Sequence, residues 1–247
     1  MKSVLITGCN RGIGLGLVKH LVALQSPPKN IFATCRNPNQ AQELKQIADN
    51  NQSVHIIQID LKNTGDYDQI FNYVKEKVSG EGLNVLINSA GISSKFTRIG
   101  MVKQTDLEEH FLINTVAPIM LTQKLVPLLK EASAKNSDKP VGTSRAAIIN
   151  ISSVLGGMGA NTEGGFYPYR TSKAALNAAT KSMSVDLKSD KILALALHPG
   201  WLKTAMGGPN APLTVDAAMP VLISFLQKLD ETHNGGFYSY EGKKMLW

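Results

Sequence analysis

Cysteine, long apolar runs and blocks of like charge are all scarce in this chain of 247 residues, and each scarcity removes a class of protein. The two cysteines, Cys9 and Cys35, supply neither a disulfide framework nor a metal-ligand cluster, which excludes a stapled secreted scaffold and points to a reducing, cytoplasmic setting. The apolar run Val4-Leu5-Ile6 near Met1 is too short for a signal-peptide core, and no later stretch reads as a bilayer span. A soluble chain without a membrane partner is expected. The net charge of +7 hints at an anionic partner, but the lysines are scattered and form no basic arm with interleaved aromatics. Nucleic acid is therefore not expected as a partner.

What is present is an alternation of short apolar runs and longer amphipathic ones. Strands are predicted over residues 4–7, 31–34, 54–59, 85–87, 147–151, 192–197 and 237–240. Helices are predicted over 12–24, 39–49, 66–78, 106–130, 168–188 and 215–226. Pro27-Pro28 ends the first helix, and the polar stretch 133–144 reads as an exposed loop. With no long linker, repeat or low-complexity tract, residues 1–247 read as one α/β domain. Its expected form is Rossmann-type and doubly wound, a parallel sheet of about seven strands with helices on both faces.

The first strand runs into Thr7-Gly8-Cys9-Asn10-Arg11-Gly12-Ile13-Gly14. A glycine-rich turn there lets the backbone approach a pyrophosphate, and the following helix N-terminus supplies N–H donors. The spacing Gly-x3-Gly-x-Gly differs from the dinucleotide fingerprint Gly-x-Gly-x2-Gly, so a tight strand-to-helix turn is an equal reading. An acid ending the second strand would bind an adenosine ribose and repel an added phosphate. None stands before Glu43; the strand ends in Cys35-Arg36, and Arg36 with Arg11 suits a 2′-phosphate, hence NADPH over NADH. Asp60-Leu61 ends the third strand, where Asp60 either accepts from an adenine amino group or caps a turn. The fourth strand runs into Asn88-Ser89-Ala90-Gly91, whose small residues leave room for a ribose or simply make a turn. After the sixth come Pro199-Gly200 and Thr204, placed to meet a carboxamide and a phosphate unless they are only a connection. His198 beside them reads as structural.

Three Tyr-x3-Lys pairs occur, at Tyr73, Tyr169 and Tyr240, so the spacing alone decides nothing. Only Tyr169 and Lys173 follow a serine pair, Ser152-Ser153, at the end of a buried strand, and they begin a helix that stacks them one turn apart. A cation about 5 Å from a phenolate, at an effective dielectric of about 20, favours ionisation by roughly 3 kcal/mol. That predicts a tyrosine pKa falling from near 10 to about 8, suited to acid or base work on a carbonyl or alcohol. Asn114 stands four residues before Pro118, which has no N–H to give, so its carbonyl can hold a water; a helix-packing asparagine is the plainer alternative.

Taken together these residues resemble the short-chain dehydrogenase/reductase family over essentially the whole chain. Thr7-Gly8-x3-Gly12-x-Gly14 matches its glycine motif, and Asn88-Ser89-Ala90-Gly91 differs from the usual Asn-Asn-Ala-Gly at one position. The resemblance implies a catalytic tetrad of Asn114, Ser153, Tyr169 and Lys173, with Tyr169 and Lys173 also on the cofactor. Asn10-Arg11-Gly12-Ile13-Gly14, Arg36 and the ending Gly235-Gly236-Phe237-Tyr238 look most like its NADPH-dependent carbonyl reductases, acting on a small-molecule carbonyl. An alcohol or steroid dehydrogenase, an NADPH-binding sensor and, more weakly, a nucleotide-sugar epimerase are the alternatives. Ser153 to Tyr169 is about three residues longer than the family interval, and residues 160–165 are expected to absorb the difference. Pocket walls are expected from 93–101, 156–166 and 206–213, and the long helices 106–130 and 168–188 are candidates for pairing in a homodimer.

Overall fold

The computed structural model describes every residue except Lys95 and Ala160. Seven parallel strands form one sheet in the order β3-β2-β1-β4-β5-β6-β7. They are β1 Ser3–Ile6, β2 Asn30–Cys35, β3 Val54–Gln58, β4 Val85–Asn88, β5 Ala147–Ile151, β6 Leu193–His198 and β7 Phe237–Ser239. The register pairs Leu5 with Phe32 and Leu86 across β1, and Ile149 with Ile87 and Leu195 across β5. The connections are helices α1 Gly12–Val22, α2 Gln42–Asn50, α3 Tyr67–Val78, α4 Gln104–Phe111, α5 Ala117–Lys135, α6 Tyr167–Asp186 and α7 Val215–Gln227.

Both faces are covered over the centre of the sheet, so the inner strands are mostly apolar on both sides and read as short apolar runs, while the edge strand β3 is only partly buried. Val4 and Ile6 pack with Leu17, Leu21 and Leu222 from α1 and α7. Leu5 points the other way, to Ile70 and Val74 of α3 and Leu121 and Leu125 of α5. Period-two alternation thus divides one strand between two cores.

The expected helix over 106–130 is longer and is broken: α4 and α5 are joined by a π turn, Leu112–Val116, in which Ala117 N–H reaches back to Leu112 O. Pro118 lies in the first turn of α5 and cannot donate, so the ladder shifts register there. By length and composition the stretch Gln104–Lys135 also qualifies as a membrane span, where the sequence reading expects none. Half of its apolar window is buried in this fold, because Leu121, Leu125, Leu128 and Leu129 form part of the core beneath the sheet.

The amino edge is tied by Asn84, just ahead of β4. Its Oδ1 accepts from Lys2 N and Ser3 N at 3.0 and 3.1 Å, and its Nδ2 donates to Arg145 O at 2.9 Å. One buried amide thus joins the starts of three neighbouring strands. Asn84→Ala leaves these backbone groups unsatisfied, and urea unfolding is expected to show a loss of about 3 kcal/mol with an unchanged m-value.

Candidate active site

The sheet order reverses direction between β1 and β4, and the crevice outside their carboxyl ends is where such folds take ligands. Thr7 sets its width: its Oγ1 accepts from both Ser89 N and Ala90 N at 3.0 Å. Gly8 has φ 73°, and a Cβ on it would sit 2.9 Å from Ala90 Cα, so no other residue fits without moving the β4 end. Arg11 is the extended residue that opens α1.

A cleft of about 430 Å³ occupies this crevice. It is lined by Gly8 and Asn10 to Gly14 of the glycine turn, by Arg36, Asp60 and Leu61 beyond β2 and β3, and by Ala90, Gly91 and Thr204. These twelve sequence-predicted residues are therefore brought together. Asn88, Pro199 and Gly200 are not among the lining, nor are Tyr169 and Lys173, which the resemblance also places on the cofactor. Asn88 Nδ2 donates inward to Asn150 Oδ1 at 2.8 Å, and Asn150 in turn donates to Thr180 Oγ1 at 2.8 Å, a ladder that fixes β4 to β5 and α6. Gly200, with φ 93°, lies against the Tyr240 ring. Asp60 Oδ1 accepts from Lys62 N at 3.0 Å, so its side chain caps a turn while bordering the cleft.

Of three further lining residues, two had no motif to announce them and the third, Ser89, stands in one. Lys203 adds a cation that, like Arg11 and Arg36, is in no ion pair among the described residues. Glu43, in the first turn of α2, borders the cleft as well. Ser89 Oγ, the one departure from the glycine-asparagine motif, is buried there without a partner. An orphaned hydroxyl, a glycine cradle and unpaired cations fit a phosphorylated, hydroxyl-bearing cofactor.

Beyond Gly91 lies the second half of the site. Asn114 is fully buried; its Oδ1 accepts from Ile92 N and its Nδ2 donates to Ile92 O, both at 2.9 Å, and to Ser172 Oγ at 3.0 Å. One amide thus fastens the chain leaving the cleft to helix α6. Lys173 Nζ donates to Ile151 O at 2.8 Å and lies 5.9 Å from the Tyr169 ring centroid. The Ser153 hydroxyl lies close enough to the Tyr169 phenol to draw its pKa down, and it accepts from Leu155 N at 3.2 Å. Ser152 Oγ donates to Asn177 Oδ1 at 2.6 Å and Asn177 Nδ2 to Gly156 O at 3.2 Å, which holds the turn after Ser153 in place. His198 accepts weakly from Val154 N at 3.4 Å, in keeping with its structural reading.

The electrostatics differ from the expectation. Burial pushes the Tyr169 phenol above its ordinary range, and Ser153 draws it only part of the way back. Burial also pushes Lys173 down to about 8. Desolvation outweighs the attraction of ammonium for phenolate, because both charged forms lose water in the same enclosed space. Cys9 and Cys35 are free thiols that burial also raises, which leaves them poor nucleophiles at neutral pH.

The pocket walls expected from 93–101 and 156–166 include Lys95 and Ala160, which lie outside the described residues, as does the first position of the 160–165 insertion. Of the third expected wall, Met206 lines the cleft.

Fold and site together define a class, and comparison with known proteins agrees. The family model for short chain dehydrogenases matches residues 2–212, and the chain belongs to that family. Among solved structures, carbonyl reductase Sniffer of D. melanogaster is 51% identical, with each chain covered in full and a TM-score of 0.99. An NADPH-bound carbonyl reductase from chicken fatty liver is 40% identical, covering 100% of this chain and 99% of its own, with a TM-score of 0.94. The C-signal protein of Myxococcus xanthus is 35% identical over 165 residues, 67% of this chain and 93% of that protein.

The Lys173 shift has a consequence for stability. An unfolded chain binds a proton at this lysine up to its model value of 10.5, the folded one only up to about 8, so stability rises with pH between those values. Relative to Lys173→Met, the wild type is expected to gain roughly 3 kcal/mol across that window in urea titrations. A flat difference would show that the amine is solvated.

Proposed function

We propose that this protein is an NADPH-dependent carbonyl reductase, converting ketones, aldehydes or quinones to alcohols. The observation that carries the reading is a Ser153–Tyr169–Lys173–Asn114 cluster, in which Ser153, Lys173 and Asn114 are buried and Tyr169 is half-buried, beside a cleft with unpaired cations. The names of the two structural relatives, carbonyl reductases both, support it, as does the NADPH bound to the chicken protein.

When bound, NADPH supplies the hydride that reduces the carbonyl carbon. The N–H groups opening α1 would hold its pyrophosphate, Arg11 and Arg36 its 2′-phosphate, Asp60 the adenine amino group, and Lys173 the nicotinamide-side ribose. Ser153 donates to the carbonyl oxygen and so stabilises the negative charge that develops there. Tyr169 gives that oxygen its proton. The raised phenol pKa keeps Tyr169 protonated at neutral pH, ready to act as the acid in reduction. Lys173 returns a proton to the phenolate, and a water held at Asn114 passes the next one inward. The same residues serve the reverse reaction, so cofactor preference and a panel of carbonyls and alcohols, not the phenol pKa, separate the dehydrogenase reading. An NADPH-binding sensor without catalysis has no feature of this site in its favour.

The proposal includes a cytoplasmic setting and a homodimer. Phe111, Val116 and Met120, exposed on the long broken helix, are the residues that favour pairing.

Tyr169→Phe is expected to reduce carbonyl turnover by about a thousandfold while its NADPH dissociation constant, read by cofactor fluorescence, stays within a few fold. Full activity in that variant would remove the tyrosine from the chemistry. Arg36→Ala, alone and with Arg11→Ala, is expected to weaken NADPH by about tenfold or more and leave NADH unchanged. Equal losses for both cofactors would mean that the arginines do not read the 2′-phosphate.

A further inference from the structure

The motif Gly235-Gly236-Phe237-Tyr238 lines no part of the cofactor cleft. It leads into β7 at the edge of the sheet, and the chain after it turns back at once. Gly242 N donates to Ser239 O at 2.9 Å, Ser239 N to Lys243 O at 2.8 Å and Met245 N to Phe237 O at 2.8 Å. Residues 243–247 therefore run back antiparallel to β7 and cover an edge that would otherwise be open. At the end of this return the Trp247 ring stacks on the buried Phe237 ring, with centroids 5.5 Å apart and planes at 24°.

The returning segment meets the turn that follows β5 and begins at Ser153. Gly159 N donates to Trp247 O at 3.0 Å. A Cβ on Gly157 would lie 2.9 Å from Leu246 O, whereas one on the neighbouring Gly156 would lie 2.9 Å from Lys173 Cβ. Consecutive glycines thus let two different neighbours approach one turn, helix α6 and the 246–247 backbone. On the helix side Asn177 Nδ2 fastens Gly156 O. Within the turn Gly156 N donates to Ser153 O at 2.8 Å and Gly157 N to Val154 O at 3.1 Å, so a shift at Gly157 reaches Ser153 through these bonds. Trp247 is 37% exposed and does not line the cleft; it touches β7 and the turn.

We infer that Trp247 is a positioning residue for the reaction. Its stack on Phe237 seats the 246–247 backbone against the turn 153–159 and so fixes where the Ser153 hydroxyl stands beside Tyr169. This rests on the carbonyl-reductase reading and adds a residue to it, one that acts only through Ser153. A donor aimed at the charge developing on a carbonyl oxygen is used in the transition state, so displacing it lowers kcat and kcat/KM together. Loss of a pocket contact would instead raise KM with kcat unchanged.

The test follows reduction of 4-nitrobenzaldehyde by NADPH in wild type, Trp247→Ala, Trp247→Phe and Gly157→Ala. Gly157 has φ −81° and ψ 127°, which alanine adopts freely, so its added methyl acts only by pushing Leu246 away. Trp247→Ala and Gly157→Ala are each expected to lower kcat about tenfold, with kcat/KM falling in step and the NADPH dissociation constant unchanged. Trp247→Phe keeps a ring on Phe237 and is expected to stay within about twofold of wild type. In a Ser153→Ala background, Trp247→Ala is expected to cost the residual turnover nothing further. A lower Tm with kcat unchanged in Trp247→Ala would make the residue structural only and overturn the inference. So would a Phe variant as slow as the Ala one, or a loss that persists without the serine. If the wild type reduces no carbonyl compound, the carbonyl-reductase reading fails first, and the brace is then judged by hydrogen exchange. Amides of 153–159 are expected to exchange about tenfold faster in Trp247→Ala and Gly157→Ala than in wild type and Trp247→Phe, with those of the glycine turn 8–14 unchanged. Equal exchange over 153–159 rejects the brace.

Discussion

Burying the Lys173 ammonium is the constraint around which the rest of the site is arranged. A charged amine taken out of water needs a partner, and here it donates to the Ile151 carbonyl at the end of β5. To reach that carbonyl the side chain passes Gly156, whose backbone must lack a Cβ, and comes within ordinary contact of the Gly91 position. A Cβ on Gly156 would lie 2.9 Å from Lys173 Cβ, and one on Gly91 would lie 3.6 Å from Nζ and 3.1 Å from Asn114 Oδ1. The small residues after β4 and β5 are therefore as much a consequence of the lysine as of any ligand. Asn114 closes the arrangement by fastening Ile92 to Ser172, and α6 can slide relative to the β4 loop only by breaking that amide's bonds.

The parallel sheet was legible because its physical cause is written in composition. Strands covered on both faces must be apolar on both, and all seven observed strands lie within a residue or two of the predicted runs. The glycine turn was legible for a related reason: positive φ at Gly8 and Gly12 and the approach of Ala90 to Gly8 leave no freedom of residue type. Ser153, Tyr169 and Lys173 were read from their positions relative to a strand end and a helix start, whereas Asn114 was marked only by its spacing to Pro118 and by the family resemblance. The topology converts those positions directly into proximity.

What the sequence concealed depends on side-chain direction and on solvent. Asn88 sits in the same motif as Ala90 and Gly91, yet strand alternation turns it into the interior, where Asn150 and Thr180 take it up. Glu43 and Lys203 reach the cleft from segments whose angle to the sheet no periodicity encodes. The π turn at Asn114 follows from Pro118, but its register shift extends beyond the one missing N–H that the proline announces. The sign of the Tyr169 shift was misread for a single reason. A pairwise Coulomb estimate counts attraction between two charges and omits what both lose on leaving water, and in this enclosed site the omitted part is larger.

That sign bears on the direction in which a proton moves between the two groups. With Lys173 near 8 and Tyr169 above its ordinary value of 10, the ammonium is the stronger acid of the pair. A tyrosine that has given up its proton to an alkoxide is therefore reloaded from Lys173 downhill, and the lysine regains its proton from solvent at neutral pH without an energetic obstacle. Run in the other direction, the same residues must first strip a proton from a desolvated phenol, against the gradient that burial sets. The free site thus holds a proton on both groups at neutral pH, and that state comes from burial more than from the identity of the residues; opening the cluster to water would bring the two values back toward those of the free side chains.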